Sequence, residues 1–233
     1  MVLRIGHRGA AGYEPENTLR SFERAVEMEV DMIELDVQIC ATGEIMVIHD
    51  RSVDRVTDGE GRVKDLSLQE IRDLDAGKGE RIPLLSEVLD LVSGRVGLNI
   101  ELKSKGTPEP VNDLLHRNIG RKGWRKEQFM VSSFHPGVLL DFSRICEGIR
   151  TAVLIENMPY GAEEFGSMIG SYSVNPNHRY LREDFVRSTH DLGMKVIPWT
   201  VDDPEDIRRM IDLGVDGIIS NYPDRIPKDP DNE

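Results

Sequence analysis

Apolar and polar positions along this chain alternate in short strand-like runs separated by helical stripes. Val2 to Gly6 reads as a first strand. Leu19, Phe22, Ala25 and Val26 then form a helical stripe that Asn17 or Thr18 would cap. In the run Asp31 to Cys40, Glu34 and Asp36 stand two apart among apolar residues, so both side chains leave one face of a strand. Ala41 to Glu44 is a tight connection in which Gly43 is free to take a positive φ, and Glu44 to Asp50 returns. Antiparallel pairing of the two runs would put His49 roughly opposite Asp36. Arg51 to Gly61 is a polar loop, and Ser67 to Glu70 is a capping box opening a short helix with the stripe Leu68, Ile71 and Leu74. A helix over Leu85 to Val92 leads to Val96 to Lys103, where Glu101 and Lys103 repeat the two-residue spacing.

The second half has a cleaner rhythm. Helices near Pro110 to Asn118, Pro136 to Ile145 and Arg182 to His190 alternate with strands at Phe129 to Ser132, Arg150 to Ile155, Ser171 to Asn175 and Met194 to Trp199. Pro159 to Gly170 is poorly patterned. The last helix is capped by Asp203, carries Pro204 at its first position and stops at Gly214, before a final strand over Asp216 to Ser220. Nine strand-like runs result. The connection before Glu44 to Ile48 is too short for a parallel crossover, so that run is a return strand at the rim. Eight β segments separated mostly by helices remain, the pattern of a (β/α)8 TIM barrel in the α/β class. A doubly wound open sheet is weaker, because no strand is followed by a glycine-rich dinucleotide or nucleotide-phosphate loop. Residues 1–226 are expected to form a single domain, and 227–233 a frayed tail.

Composition narrows the function. With 29 basic against 42 acidic residues the formal charge is −13, which argues against nucleic acid and against an anionic membrane surface. No apolar run approaches the roughly 20 residues that span a bilayer. The chain enters a strand at once, which leaves no room for a signal peptide, and its two cysteines, Cys40 and Cys146, suit a reduced compartment. A cytoplasmic location is expected.

Functional groups of such barrels gather at the C-terminal ends of the strands. That rim would hold His7 and Arg8, Glu34 and Asp36, His49, Glu101 and Lys103, Ser133 and Phe134, and Trp199, while Leu35, Ile100 and Leu102 face the outer helices. Three crowded carboxylates repel one another unless some are protonated or a hard cation holds them. Oxygen ligands favour Mg²⁺ or Ca²⁺ over zinc. Three carboxylates, one divalent ion, Lys103 and Arg8 sum to about +1, which suits a singly charged anion such as a phosphodiester. Two histidines beside that centre can act as base and acid, giving metal-assisted phosphoryl transfer.

His7-Arg8-Gly9, Glu16-Asn17-Thr18, Glu34-Leu35-Asp36, His49-Asp50, Glu101-Leu102-Lys103, Ser133-Phe134 and Trp199-Thr200 stand in the order of the glycerophosphodiester phosphodiesterase family, which the chain resembles from His7 to about Pro223. The resemblance implies a barrel of the phospholipase-C-like phosphodiesterase type that hydrolyses a small glycerophosphodiester to glycerol 3-phosphate and an alcohol. It implies one divalent cation, Mg²⁺ or Ca²⁺, on Glu34, Asp36 and Glu101, and His7 and His49 as the acid/base pair. Arg8 and Lys103 would contact phosphate, with Phe134 and Trp199 on the glycerol side. Arg51, Asp202 and Asn221 depart from the family's usual residues, which bears on pocket detail. Alternatives are a lysophospholipase D-type activity on a lipid diester, or a phosphate-binding barrel without turnover. The leaving alcohol, direct water attack against a cyclic phosphate, the roles of the two histidines and the oligomeric state stay open.

Overall fold

The computed structural model describes residues 1–157 and 161–228. Eight parallel strands form the barrel wall: β1 (Leu3–Gly6), β2 (Met32–Ile39), β4 (Gly97–Leu102), β5 (Phe129–Ser133), β6 (Arg150–Ile155), β7 (Ser173–Pro176), β8 (Lys195–Val196) and β9 (Gly217–Ser220). β3 (Ile45–Val47) lies outside this order and pairs antiparallel with β2, as the short connection requires. Gly43, at φ +98°, makes that turn. Among the described residues there are eight α-helices: α1 (Leu19–Glu27), α2 (Leu68–Arg72), α3 (Leu85–Val92), α4 (Pro108–Asn118), α5 (Pro136–Ser143), α6 (Ala162–Met168), α7 (Glu183–Asp191) and α8 (Pro204–Asp212).

The barrel closes between β8 and β9 through a broken ladder. Asp216 N–H donates to the Val196 carbonyl (2.9 Å), Ile219 N–H to Pro198 (3.0 Å) and Val201 N–H to Ile219 (2.9 Å). Pro198 has no N–H to give, so the run expected over Met194 to Trp199 keeps only two regular strand residues.

Alternation decides what faces where. Ile33, Leu35, Val37, Leu98, Ile100 and Leu102 point outward into a core with Phe22 of α1, Leu85, Val88 and Leu89 of α3, and Val111 of α4. Inside, Ile5, Met32, Met130, Ala152, Ile197 and Ile219 plug the barrel. At roughly 25 cal/mol per Å² of apolar surface, these layers supply the main folding force and leave the interior faces of β2 and β4 free for polar groups.

Several expectations shift. Thr18, not Asn17, caps α1, accepting from the Ser21 N–H at 3.2 Å. Pro108 opens α4, two residues earlier than expected. The poorly patterned stretch contains α6, while its residues Pro159 and Tyr160 lie outside the described residues, as does the tail from 229. The loop after His49 is not merely polar. Val53 and Val63 join Cys40, Met46, Ile48, Ile71, Ala76 and Ile82 in a satellite core beneath β3. Cys40 and Cys146 are buried and unbridged. Among the described residues no helix is long and apolar enough to cross a membrane.

Candidate active site

The parallel register of β2 and β4 sets Asp36 beside Glu101 and Glu34 beside Asn99. Period-two alternation turns Glu34, Asp36 and Glu101 into the barrel mouth, where all three are buried and offer oxygens within 4.8 Å of one another. Lys103, the next inward position after Glu101, reaches back with Nζ 2.6 Å from Glu101 Oε1 and 2.9 Å from Asp36 Oδ1.

The loop after β1 supplies His7 and Arg8. Arg8 adopts φ +50°, and its backbone N–H donates to Glu34 Oε2 at 3.0 Å. Gly9 follows at φ +88°, pressed against the Ser21 backbone and hydroxyl so that no Cβ fits. The Arg8 guanidinium donates to Glu16 Oε1 at 2.7 Å and lies 3.3 Å from Asp36 Oδ2. His7 holds its Nδ1 2.7 Å from Asn221 Oδ1, and its Nε2 is 4.0 Å from Glu34 Oε2.

His49 arrives from the other side, and its register differs from the expected one. Val37 opposes Val47, and the Ile48 N–H donates to the Asp36 carbonyl at 3.0 Å, so Ile48 rather than His49 lies across from Asp36. β3 ends at Val47, and His49 sits one step past the pairing, in a bend where its Nδ1 is 2.6 Å from Asp50 Oδ1. Gln38, third in the inward series Glu34–Asp36–Gln38, holds this bend by donating to the carbonyls of His49 (3.1 Å) and Asp50.

Protonation follows from this packing. Burial, with Asp36 and Glu101 close by, pushes the Glu34 carboxyl well above the usual range. Burial and Asp36 push Glu101 up to about 8. Asp36 goes the other way: against the cost of burial, Lys103 and Arg8 hold it below the ordinary carboxylate range. Burial and the Arg8 charge lower His7 to about 4, and burial also lowers His49. A cluster with two carboxyls biased toward protonation and one ionised suits a hard cation, whose charge would replace those protons.

Phe134 and Trp199 meet edge to face across the mouth at 5.3 Å, and the Lys103 Nζ lies 6.0 Å from the Phe134 ring. The indole N–H of Trp199 donates to the Asn175 carbonyl at 2.8 Å, which fixes the ring. The nine site residues implied by the family resemblance therefore stand at one end of the barrel. Three further polar residues find partners outside this cluster: Tyr13 bonds Asp224 and packs on Tyr222, His178 faces Asp206, and His190 pairs with Asp216.

Five residues support the site in roles that the sequence reading did not assign. Asn17, at φ +58°, donates to Asp36 Oδ2 at 2.9 Å, Gln38 pins the His49 bend, and Asn221 with Asp202 backs His7. Arg55 clamps Glu16 (2.7 and 2.8 Å) and Asp50 (2.5 Å), tying the loop that carries Arg8 to the bend that carries His49. Asn17 and Gln38 carried local signals, one inside a motif and the other on the carboxylate face of β2. Asp202 and Asn221 stood out as departures from the family pattern that bear on the pocket, and Arg55 carried no signal.

Residues 7–225 match the model of the "Glycerophosphoryl diester phosphodiesterase family". A glycerophosphodiester phosphodiesterase of Caldanaerobacter subterraneus subsp. tengcongensis is 39% identical, the alignment covering 97% of this chain and 96% of the relative. One of Bacillus altitudinis is 35% identical over 98% of each. Among solved structures, an Oleispira antarctica phosphodiesterase in complex with the product sn-glycerol-3-phosphate superposes with a TM-score of 0.89 at 27% identity, covering 95% of this chain and 94% of that one. With the barrel, its rim hairpin and a family match across nearly its whole length, the chain belongs to the glycerophosphoryl diester phosphodiesterase family.

Proposed function

We propose that this protein hydrolyses small soluble glycerophosphodiesters to glycerol 3-phosphate and an alcohol, with one divalent cation, Mg²⁺ or Ca²⁺, held by Glu34, Asp36 and Glu101. The carrying observation is the close carboxylate triad flanked by two histidines and two cations. The product bound by the Oleispira antarctica enzyme, sn-glycerol-3-phosphate, supports the substrate class. When bound, the cation would supply Lewis-acid stabilisation of charge on the phosphoryl oxygens.

The chain's own residues do the rest. Arg8 and Lys103 draw in the phosphodiester and balance the charge that grows in the transition state. The Phe134–Trp199 corner presents an apolar wall to the glycerol carbons. One histidine takes the proton from the attacking oxygen, from water or a glycerol hydroxyl, as the P–O bond to the alcohol breaks, and the other gives the leaving oxygen its proton.

The test is hydrolysis of glycerophosphocholine and glycerophosphoethanolamine, before and after chelation and on restoring Mg²⁺ or Ca²⁺. Activity that survives complete metal removal overturns the metal assignment, and absence of any glycerol 3-phosphate overturns the reaction.

A further inference from the structure

Beside the carboxylate site lies a second cavity of about 750 Å³, which shares Lys103 and Gln38 with it and is lined by Arg51, Arg62, Lys64, Lys105 and His135. In a chain with a formal charge of −13 this concentration of cations is unusual, and among the described residues none that lines the cavity is a carboxylate. The backbone builds it. The Val63 N–H donates to the Arg51 carbonyl at 3.0 Å and Ser52 bridges to Arg62, which sets both guanidinium stems on one wall. The Ala41 N–H, donating to Leu66 at 2.8 Å, pins that wall to the β2–β3 turn. Lys105 and the opening residues of α5 complete the lining. Arg62 and Lys64 lean toward Asp65, at 3.9 and 3.7 Å, whereas among the described residues Arg51 and Lys105 have no carboxylate partner.

We propose that this cavity is the subsite for the leaving alcohol and that it selects alcohols that themselves carry a phosphate. The inference rests on the phosphodiesterase reading above. A diester whose phosphorus lies at Lys103 has two sides. The Phe134–Trp199 corner, 6.0 Å from the Lys103 Nζ at its Phe134 ring, takes one, and the cationic cavity, which has the same lysine in its lining, takes the other. A choline or ethanolamine group placed there meets like charge, while a second phosphate meets complementary charge. The chemistry of the step is unchanged. The attacking oxygen, of water or a glycerol hydroxyl, bonds to phosphorus and loses its proton to one histidine, the P–O bond to the alcohol breaks, and the phosphorylated alcohol departs with a proton from the other.

The experiment compares bis(glycerophospho)glycerol, glycerophosphoglycerol and glycerophosphocholine, whose alcohols are anionic, neutral and cationic. For the metal-loaded protein, kcat/KM should fall in that order, with roughly tenfold or more between the extremes at low salt and a smaller spread at high salt. In the variant Arg51→Glu/Lys105→Glu, both positions being exposed, the anionic-to-cationic ratio should drop about tenfold, through KM for the anionic diester. Equal kcat/KM for all three diesters, or a ratio unmoved by the variant, overturns the subsite. Titration calorimetry of the same diesters against metal-free protein asks the question without turnover and must give the same ranking. Hydrolysis of none of the three, with that ranking intact, would defeat the phosphodiesterase reading but not the subsite. A glycerol phosphate oligomer, compared with the short diester, separates a polymer from a discrete phosphorylated polyol as the source of the alcohol.

Discussion

His7 Nδ1 lies 2.7 Å from Asn221 Oδ1, and that amide is oriented by a carboxylate, because Asn221 Nδ2 donates to Asp202 Oδ2 at 2.7 Å. Asp202 also accepts from the Asn221 N–H (2.8 Å) and the Ser220 hydroxyl (3.0 Å). The amide nitrogen must face the acceptor, so the amide oxygen faces the imidazole. His7 then carries its proton on Nδ1 and presents a lone pair on Nε2 toward the carboxylates. A neutral ring with a free Nε2 suits proton acceptance. His49, with a carboxylate at Asp50, is the better placed to stabilise a proton it later donates.

Removing the relay should therefore cost turnover rather than affinity. Asn221→Ala is expected to lower kcat by roughly 10–100-fold with KM little changed, the scale of losing a partner that orients a functional imidazole. Exchanging the two residues, Asp202→Asn with Asn221→Asp, keeps a carboxylate–amide pair and should recover part of the loss. Asp202→Asn alone frees the amide to flip. Steady-state kinetics on all three variants checks this, and a loss confined to KM would contradict it.

Metal-free stability should decline with rising pH. Glu101 is pushed up to about 8 and Glu34 is also raised, so between pH 4.5 and 8 the folded chain holds protons that the unfolded chain, with ordinary carboxyl values near 4.3, has released. The unfolded state then binds fewer protons, and the unfolding free energy falls as pH rises, by up to roughly 1.4 kcal/mol per pH unit for each such proton. Tm of chelator-treated protein should drop from pH 5.5 to 8, and added Mg²⁺ or Ca²⁺ should raise it most at pH 8, where fewer protons compete. Glu101→Gln should flatten the decline while weakening metal binding. Calorimetry in buffers of different ionisation enthalpy should detect proton release on metal binding near pH 7.

Arg55 joins Glu16 to Asp50, and through them Arg8 to His49. The bridge is half-exposed, so its removal should change stability little. Arg55→Ala is expected to lower kcat/KM by several-fold for every diester alike, since both loops lose their mutual brace. A variant with wild-type kinetics would show that each loop holds itself.

The sequence carried the site where the chemistry obeys a local period, and lost it where the chain folds back on itself. Glu34, Asp36, Glu101 and Lys103 follow from alternation along two strands, and the odd ninth strand follows from the length of one turn. Asn221 meets His7 across 214 residues and Arg55 meets Glu16 across 39, contacts that no local pattern encodes. His49 fell one position off because strand pairing ends at Val47 and the backbone bends before the histidine. Pro198 hid the closure of the barrel by the same kind of local exception.

Gln38 offers the sharpest separation of the two halves of the mechanism. Its amide donates to the carbonyls that shape the His49 bend but bonds none of the three carboxylates, of which Glu34 and Asp36 share its face of β2 and Glu101 lies on β4. Gln38→Met keeps the volume and removes the donors, leaving the part-buried His49 and Asp50 carbonyls without this partner at a cost of about 1 kcal/mol in local order. The bend should loosen while Glu34, Asp36 and Glu101 stay on their strands. The expected result is a fall in kcat of about tenfold or more, in the range of general acid/base contributions, with the metal dissociation constant within a factor of about two of wild type. Lengthening the turn at Gly43 should act in the same direction, because it lets β3 slip against β2 and carries His49 with it. Parallel loss of metal affinity and turnover in Gln38→Met would instead make the hairpin part of the metal site itself.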